Sequence, residues 1–183
     1  MYRIDEPMSH AMPTHERIFR AGSNRWLALA AVVALTVVLL DALTKDLIVR
    51  ELGPTGSRST IPIAGDVIEL HYARNSGVAF GFLSDSSTLA GILVGIVLVP
   101  LILVLALLAA RGPIWAVAAG LVLGGAAGNV VDRIGDRMVT DFISIGRWPS
   151  FNLADAAITV GALILIGLSL RADSRDDQPA GFR

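Results

Sequence analysis

The chain contains no cysteine, which removes disulfides, thiolate nucleophiles and cysteine-held metals from consideration. Charge is scarce as well. Asp, Glu, Lys and Arg make up 17% of the 183 residues against 54% hydrophobic ones, far from the balance of a water-soluble globule. A formal net charge of -1 offers no basic footprint, so nucleic acid is excluded as a partner. Only three histidines occur, His10, His15 and His71, none of them inside an apolar run. No His-Glu-x-x-His pattern or comparable metal spacing exists, and no Ser, His and Asp set falls in the apolar segments. Neither a metal nor a cofactor is expected. What remains is an integral membrane protein whose chemistry rests on carboxylates, in an aspartyl mechanism or along a proton or ion path.

The apolar runs are long enough to cross a bilayer core, which asks for about 20 helical residues. The first span, about residues 26–49, ends in Asp41-Ala42-Leu43-Thr44-Lys45. A secretory signal would end in a small-residue cleavage site, so this span is retained. The second, about 88–110, closes at Arg111-Gly112-Pro113, a turn that sends the third, about 114–133, back antiparallel to it. The fourth runs over about 151–170. Residues 1–24 read as a polar, disordered tail and 172–183 as a second tail, with one membrane domain over 25–171 between them. In the segment 51–87, Gly53, Pro54, Gly56 and Pro62 break helices. There, 67–72 and 78–82 read as short strands around a turn-like Arg74-Asn75-Ser76-Gly77. The predicted fold class is an all-α membrane protein: four transmembrane helices, with a small β element at the outer membrane surface between helices 1 and 2. The arginine distribution leans towards both termini being cytoplasmic.

Four spans bring every unusual polar residue to one face. Asp41 and Lys45 lie late in span one, Asp132 and Arg133 end span three, Asp141 follows in a loop, and Asp155 opens span four. Ionisable groups at such depth are costly to bury and mark function by default. Asp41 and Lys45, four apart with the acid first, suit an ion pair on one helical face, either structural or part of a site. Gly120, Gly124 and Gly128 form a small-xxx-small repeat that favours close helix packing and holds Asn129, Asp132 and Arg133 on one side. Asp132 is assigned to a supporting ion pair with Arg133 or another nearby cation. Asp141 sits in Val139-Thr140-Asp141-Phe142-Ile143 with no adjacent cation, and Asp155 lies in an apolar stretch with Asn152 three residues back. Two carboxylates that meet in such surroundings share a proton. One then serves as base towards water while the other polarises a carbonyl. Asn75 is either a plain turn residue or a substrate contact in a surface element that closes as a lid.

In this order the motifs resemble the lipoprotein signal peptidases, or type II signal peptidases. The resemblance is carried by Asp41-Ala42-Leu43-Thr44-Lys45, Asn75-Ser76-Gly77-Val78-Ala79-Phe80, the stretch from Gly124 and Gly128 through Asn129 to Asp132-Arg133, Val139-Thr140-Asp141-Phe142-Ile143 and Phe151-Asn152-Leu153-Ala154-Asp155. It implies a bacterial inner-membrane endopeptidase that removes signal peptides from prolipoproteins by cutting before a diacylglyceryl-modified cysteine. Its partners would be those prolipoproteins and membrane lipid. The implied catalytic dyad is Asp141 and Asp155. Asp41, Lys45, Asn75, Gly124, Gly128, Asn129, Asp132, Arg133, Asn152 and Ala154 match positions that bind substrate or brace the site. Ala42 and Val78 depart from the usual glutamine and alanine. The rival reading is a small proton-coupled transporter or channel subunit. A relay needs acids through the whole membrane depth, and spans two to four have none in their interiors.

Overall fold

From Trp26 a run rich in Ala, Val and Leu, without Gly or Pro, carries most of helix α1 (Thr14–Leu52, 39 residues), until Gly53 and Pro54 stop it. The structure, a computed structural model, describes residues 14–65, 67–76, 99–135 and 138–176. The expected strand at 78–82, the first half of the second span and the outermost parts of both tails lie outside these residues. Helix α1 begins within the segment read from the sequence as a polar tail. Thr36 and Thr44 donate their hydroxyls back to Val32 O at 2.9 Å and Leu40 O at 2.8 Å, which keeps them paired where lipid offers no acceptor.

The remaining helices are α2 (Val99–Ala109), α3 (Pro113–Gly135) and α4 (Leu153–Asp176). Pro113 opens α3 at the position where its missing N–H costs nothing. Among the described residues, Asn24–Leu52, Pro113–Ile134 and Leu153–Ala172 are long and apolar enough to cross a membrane, and α2 is a shorter apolar helix. Leu35, Leu43, Leu107, Leu163 and Ile166 face outward, as an apolar helix surface does towards lipid. Ala30 of α1, Leu105 and Ala109 of α2, and Ala116, Ala119 and Val122 of α3 form the core where the three helices meet.

Small residues set how closely the helices approach. A Cβ on Gly120 would lie 2.6 Å from Ala30 O, one on Gly124 2.6 Å from Ala34 O, and one on Gly128 2.8 Å from Asp41 Oδ2. The glycine repeat therefore packs α3 onto α1, the packing role read from its spacing. Gly125 faces the other way, where a Cβ would collide with Ala154 O at the start of α4. Gly125→Ala is expected to cost about 1–3 kcal/mol, the usual range for forcing a group into filled space. Among the described residues no atom lies within 4 Å of a Cβ on Gly167, so Gly167→Ala is the matched control. Thermal melts of both variants in detergent check the pair, and equal melting temperatures would refute the close-approach argument.

The β element is a three-stranded antiparallel sheet in the order β1-β2-β3: β1 (Thr60–Ala64), β2 (Ile68–Asn75) and β3 (Val139–Ile145). Its third strand corrects the sequence reading. Asp141 does not lie in a loop but on β3, supplied from between α3 and α4, and the sheet is not confined to the segment between the first two spans. Asn75 pairs with Val139 as the last residue of β2, and the turn expected at 74–77 runs at Gly77 outside the described residues. The β1–β2 hairpin turns at Gly65, whose φ of 55° suits glycine. The sheet packs on the end of α1, with Phe142, Ile61, Leu70, Tyr72 and Ile143 against Ile48 and Leu52. After Gly146, at φ 54°, the chain doubles back. Phe151 O then accepts from Phe142 N and Ile143 N, and Phe151 N donates to Ile143 O. That return lays residue 152 beside residue 141.

Candidate active site

Asn152 is the N-cap of α4 and Asp155 is the third residue of its first turn. Asp155 N donates to Asn152 Oδ1 at 2.9 Å, and Asn152 N donates to Asp155 Oδ2 at 3.3 Å. The exchange is a capping box, which satisfies two otherwise orphaned helix-start donors. This orients the Asp155 carboxylate back across the mouth of α4, where Asn129 Nδ2 of α3 donates to its Oδ1 at 2.7 Å.

The same Asn152 reaches the second carboxylate. Its Nδ2 donates to Asp141 Oδ1 at 2.8 Å and to Asn129 Oδ1 at 3.1 Å, with Thr140 O further off at 3.4 Å. Asn75 Nδ2 donates to Asp141 Oδ2 at 2.9 Å. On β2, Ala73 is the register partner of Asp141, and Asn75, two residues on, projects from the same face of the sheet. Asp141 is 2% exposed and Asn152 is fully buried. Burial pushes the Asp141 carboxyl above its ordinary value, and the charge of Asp155 adds to the rise, outweighing the amides of Asn75 and Asn152 and the Lys45 ammonium, which pull it down. Two acids in contact with one asparagine, one of them inclined to hold a proton, can deliver a proton and accept another in one step.

Behind the two carboxylates lies an ionic layer. Lys45 bonds Asp41 Oδ2 within α1 and lies 2.8 Å from Asp132 Oδ2 of α3. Asp132 therefore pairs with Lys45 and not with Arg133, of the two kinds of partner that its surroundings in the sequence allowed. Adjacent helical residues do not face each other. Arg133 Nη1 instead donates to the backbone O of Asn129 at 3.1 Å. Asp41 Oδ1 accepts from Ala154 N at 3.0 Å, and Asp132 Oδ2 accepts from Thr140 N at 3.3 Å. Gly128 lies under the Asp41 carboxylate, and Ala154 is fully buried. Gly124 is set apart from this cluster, against Ala34.

One contact had no sequence signal. Ser150 Oγ and His71 Nε2 are 3.0 Å apart and clasp the strap before α4 to β2. The other imidazole nitrogen, Nδ1, is buried without a hydrogen-bond partner. Among the described residues no carboxylate orients this ring as a serine nucleophile would require. Among the described residues no three His, Asp or Glu side chains converge as metal ligands.

Residues 33–171 match the family described as signal peptidase (SPase) II. A lipoprotein signal peptidase of Rhodococcus jostii is 36% identical over 180 residues, covering 91% of this chain and 81% of the relative. One of Mycobacterium avium is 39% identical over 157 residues, covering 80% and 81%. A solved bacterial membrane enzyme, obtained by the in meso method at 2.3 Å resolution, superposes with a TM-score of 0.64 at 26% identity, covering 84% of this chain and 94% of its own.

Proposed function

The chain belongs to the signal peptidase II family, membrane-embedded peptidases that remove signal peptides, and from that premise we propose that Asp141 and Asp155 are its catalytic pair. Asp141 holds the shared proton, and Asp155 accepts one from water as that water attacks the carbonyl carbon of the scissile bond. Asp141 passes its proton to the carbonyl oxygen, which forms a tetrahedral diol. On collapse the C–N bond breaks. Asp155 then gives its proton to the leaving amine, and a diol hydroxyl returns one to Asp141, so the pair ends as it began. Asn152, in contact with both carboxylates, is the observation that carries this reading. The substrates are prolipoproteins, cut before a diacylglyceryl-modified cysteine. Such a substrate brings an apolar helix and acyl chains to the membrane surface, where helix ends and a sheet meet. The protein resides in the bacterial inner membrane, with both termini on the cytoplasmic side.

The deciding experiment uses the purified full chain in detergent with a diacylglyceryl-modified prolipoprotein and its unmodified counterpart. The expected result is release, seen by mass spectrometry, of a signal peptide ending just before the modified cysteine, with the unmodified protein left intact. Cleavage elsewhere, or none, would overturn the assignment.

A further inference from the structure

Among the described side chains of helix α1 none bonds Asp141 or Asp155, yet the helix holds a buried lysine between two buried or half-buried carboxylates. Lys45 is 5% exposed and Asp41 is 1% exposed. An ion triad taken out of water costs desolvation that its mutual attraction seldom more than repays, so stability alone is a weak reason to keep one. What distinguishes this triad is where its carboxylates reach. Asp41 Oδ1 accepts the N–H of Ala154, the residue before Asp155, and Asp132 Oδ2 accepts the N–H of Thr140, the residue before Asp141. Lys45 joins these two carboxylates.

We propose that Lys45 is a positioning residue for the reaction: through Asp41 and Asp132 it fixes the two backbone N–H groups that precede the catalytic aspartates, and so sets the separation of the pair. The inference rests on the catalytic reading of Asp141 and Asp155. The Ala154 N–H belongs to the first turn of α4 and has no acceptor within its own helix. Asp41 caps it from another helix, as the capping box does for Asp155 N. Thr140 stands on β3, whose far flank, among the described residues, is paired where Phe151 returns, and Asp132 takes its N–H on that side. One ammonium thereby ties the helix that carries one acid to the strand that carries the other. Gly128 makes room for the arrangement, since a Cβ there would lie 2.8 Å from Asp41 Oδ2.

The charges acting on Asp141 are Asp155 from α4 and Lys45 from α1, with Asp41 and Asp132 of α1 and α3 behind Lys45 and the neutral Asn75 facing it from β2. The Lys45 ammonium lowers the Asp141 value. Removing it raises that value, so the alkaline limb of the pH–rate profile moves to higher pH.

The test measures kcat, KM and the pH–rate profile of Lys45→Met and Lys45→Arg, as full chains in detergent with the lipid-modified prolipoprotein, at a temperature well below each melting point. A misplaced catalytic group costs on the order of 100-fold. Lys45→Met is expected to lose about that much in kcat with KM unchanged and to shift the alkaline limb upward, while Lys45→Arg recovers part of the loss. A purely structural triad would lower the melting temperature and leave kcat and the profile unmoved, which would overturn the proposal, as would any other combination. If Lys45→Met does not fold, Gly128→Ala replaces it. That variant keeps all three charges and displaces the Asp41 carboxylate, so a fall in kcat at constant KM supports the clamp and parental kcat overturns it. Asp141→Asn and Asp155→Asn run alongside. Activity in those two would defeat the catalytic reading itself, whereas inactivity there with unaltered Lys45 and Gly128 variants would defeat only the clamp.

Discussion

Asp141→Asn and Asp155→Asn are each expected to lower cleavage by roughly 100- to 10,000-fold, the range that a positioned acid or base contributes, while the protein stays inserted and folded. An asparagine keeps one acceptor oxygen, which at 141 serves one of the two amides of Asn75 and Asn152 and at 155 can serve Asn129, but it can neither take a proton from water nor give one to a carbonyl. Stability gives a second readout at Asp141. The Asp141 carboxyl in the fold sits above its ordinary value because it is buried and near Asp155. The folded chain therefore keeps this proton over a pH window in which the unfolded chain has lost it. The stability linked to that proton is present below the ordinary carboxylate value and is lost as pH rises through the folded value. At neutral pH the buried site thus works against the ionised acid, and Asp141→Asn removes that cost. The lost acceptor for one of the Asn75 and Asn152 amides offsets that gain, so the variant's melting temperature at pH 7 is expected to stay near the parent's, with a flatter dependence on pH above the ordinary carboxylate value. Near-parent turnover in either variant would remove that residue from the pair. A sharply lower melting temperature for Asp141→Asn would show that the carboxylate holds the fold together.

Asn152→Ala is expected to have the largest combined effect on stability and activity. The residue is fully buried. Truncation takes a donor from Asp141 Oδ1 and from Asn129 Oδ1 and an acceptor from Asp155 N. A buried group left without its partner costs about 1–3 kcal/mol, and loss of an N-cap alone costs about 1 kcal/mol. Losses of this kind add up to several kcal/mol. They should appear as a clear drop in melting temperature together with loss of cleavage, because both aspartates are released. Asn152→Asp separates the two consequences. It retains the cap acceptor, so α4 should start normally and stability should fall less than in the alanine variant. It cannot donate to Asp141, however, and it sets a third carboxylate between two others, so it should be inactive at neutral pH. If Asn152→Asp cleaved normally, the bridge between the two acids would be dispensable.

Much of this is legible in the sequence, and the reason differs from residue to residue. The apolar runs of α1, α3 and α4 could be read because helix hydrogen bonds are local, and a long uncharged run can satisfy its backbone in lipid in few other ways. The Asp41 to Lys45 spacing dictates contact on one helical face. The Asn152 to Asp155 spacing is a capping signature in its own right, beyond the shared helical face that the same spacing implies. By contrast, β3 is a short apolar run on both sides of Asp141, and periodicity does not separate such a run from a buried loop or helix end.

From the amino-acid sequence alone follow the membrane-spanning helices, the gathering of Asp41, Lys45, Asp132, Asp141 and Asp155 at one end of them, and the exclusion of thiol and metal-motif chemistry. Only the tertiary structure decided that β3 joins β2 to face Asp141 with Asn75, that Asp132 turns to Lys45 and away from Arg133, and that Asn152 touches both acids. The first two depend on contacts between segments far apart in the chain, residues 68–75 with 139–145 and Lys45 with Asp132, and the third on the return of the chain after β3 that lays residue 152 beside residue 141. Their geometry is set by how closely glycine-lined helices pack and by where a strand finds an open edge, and no local spacing encodes either.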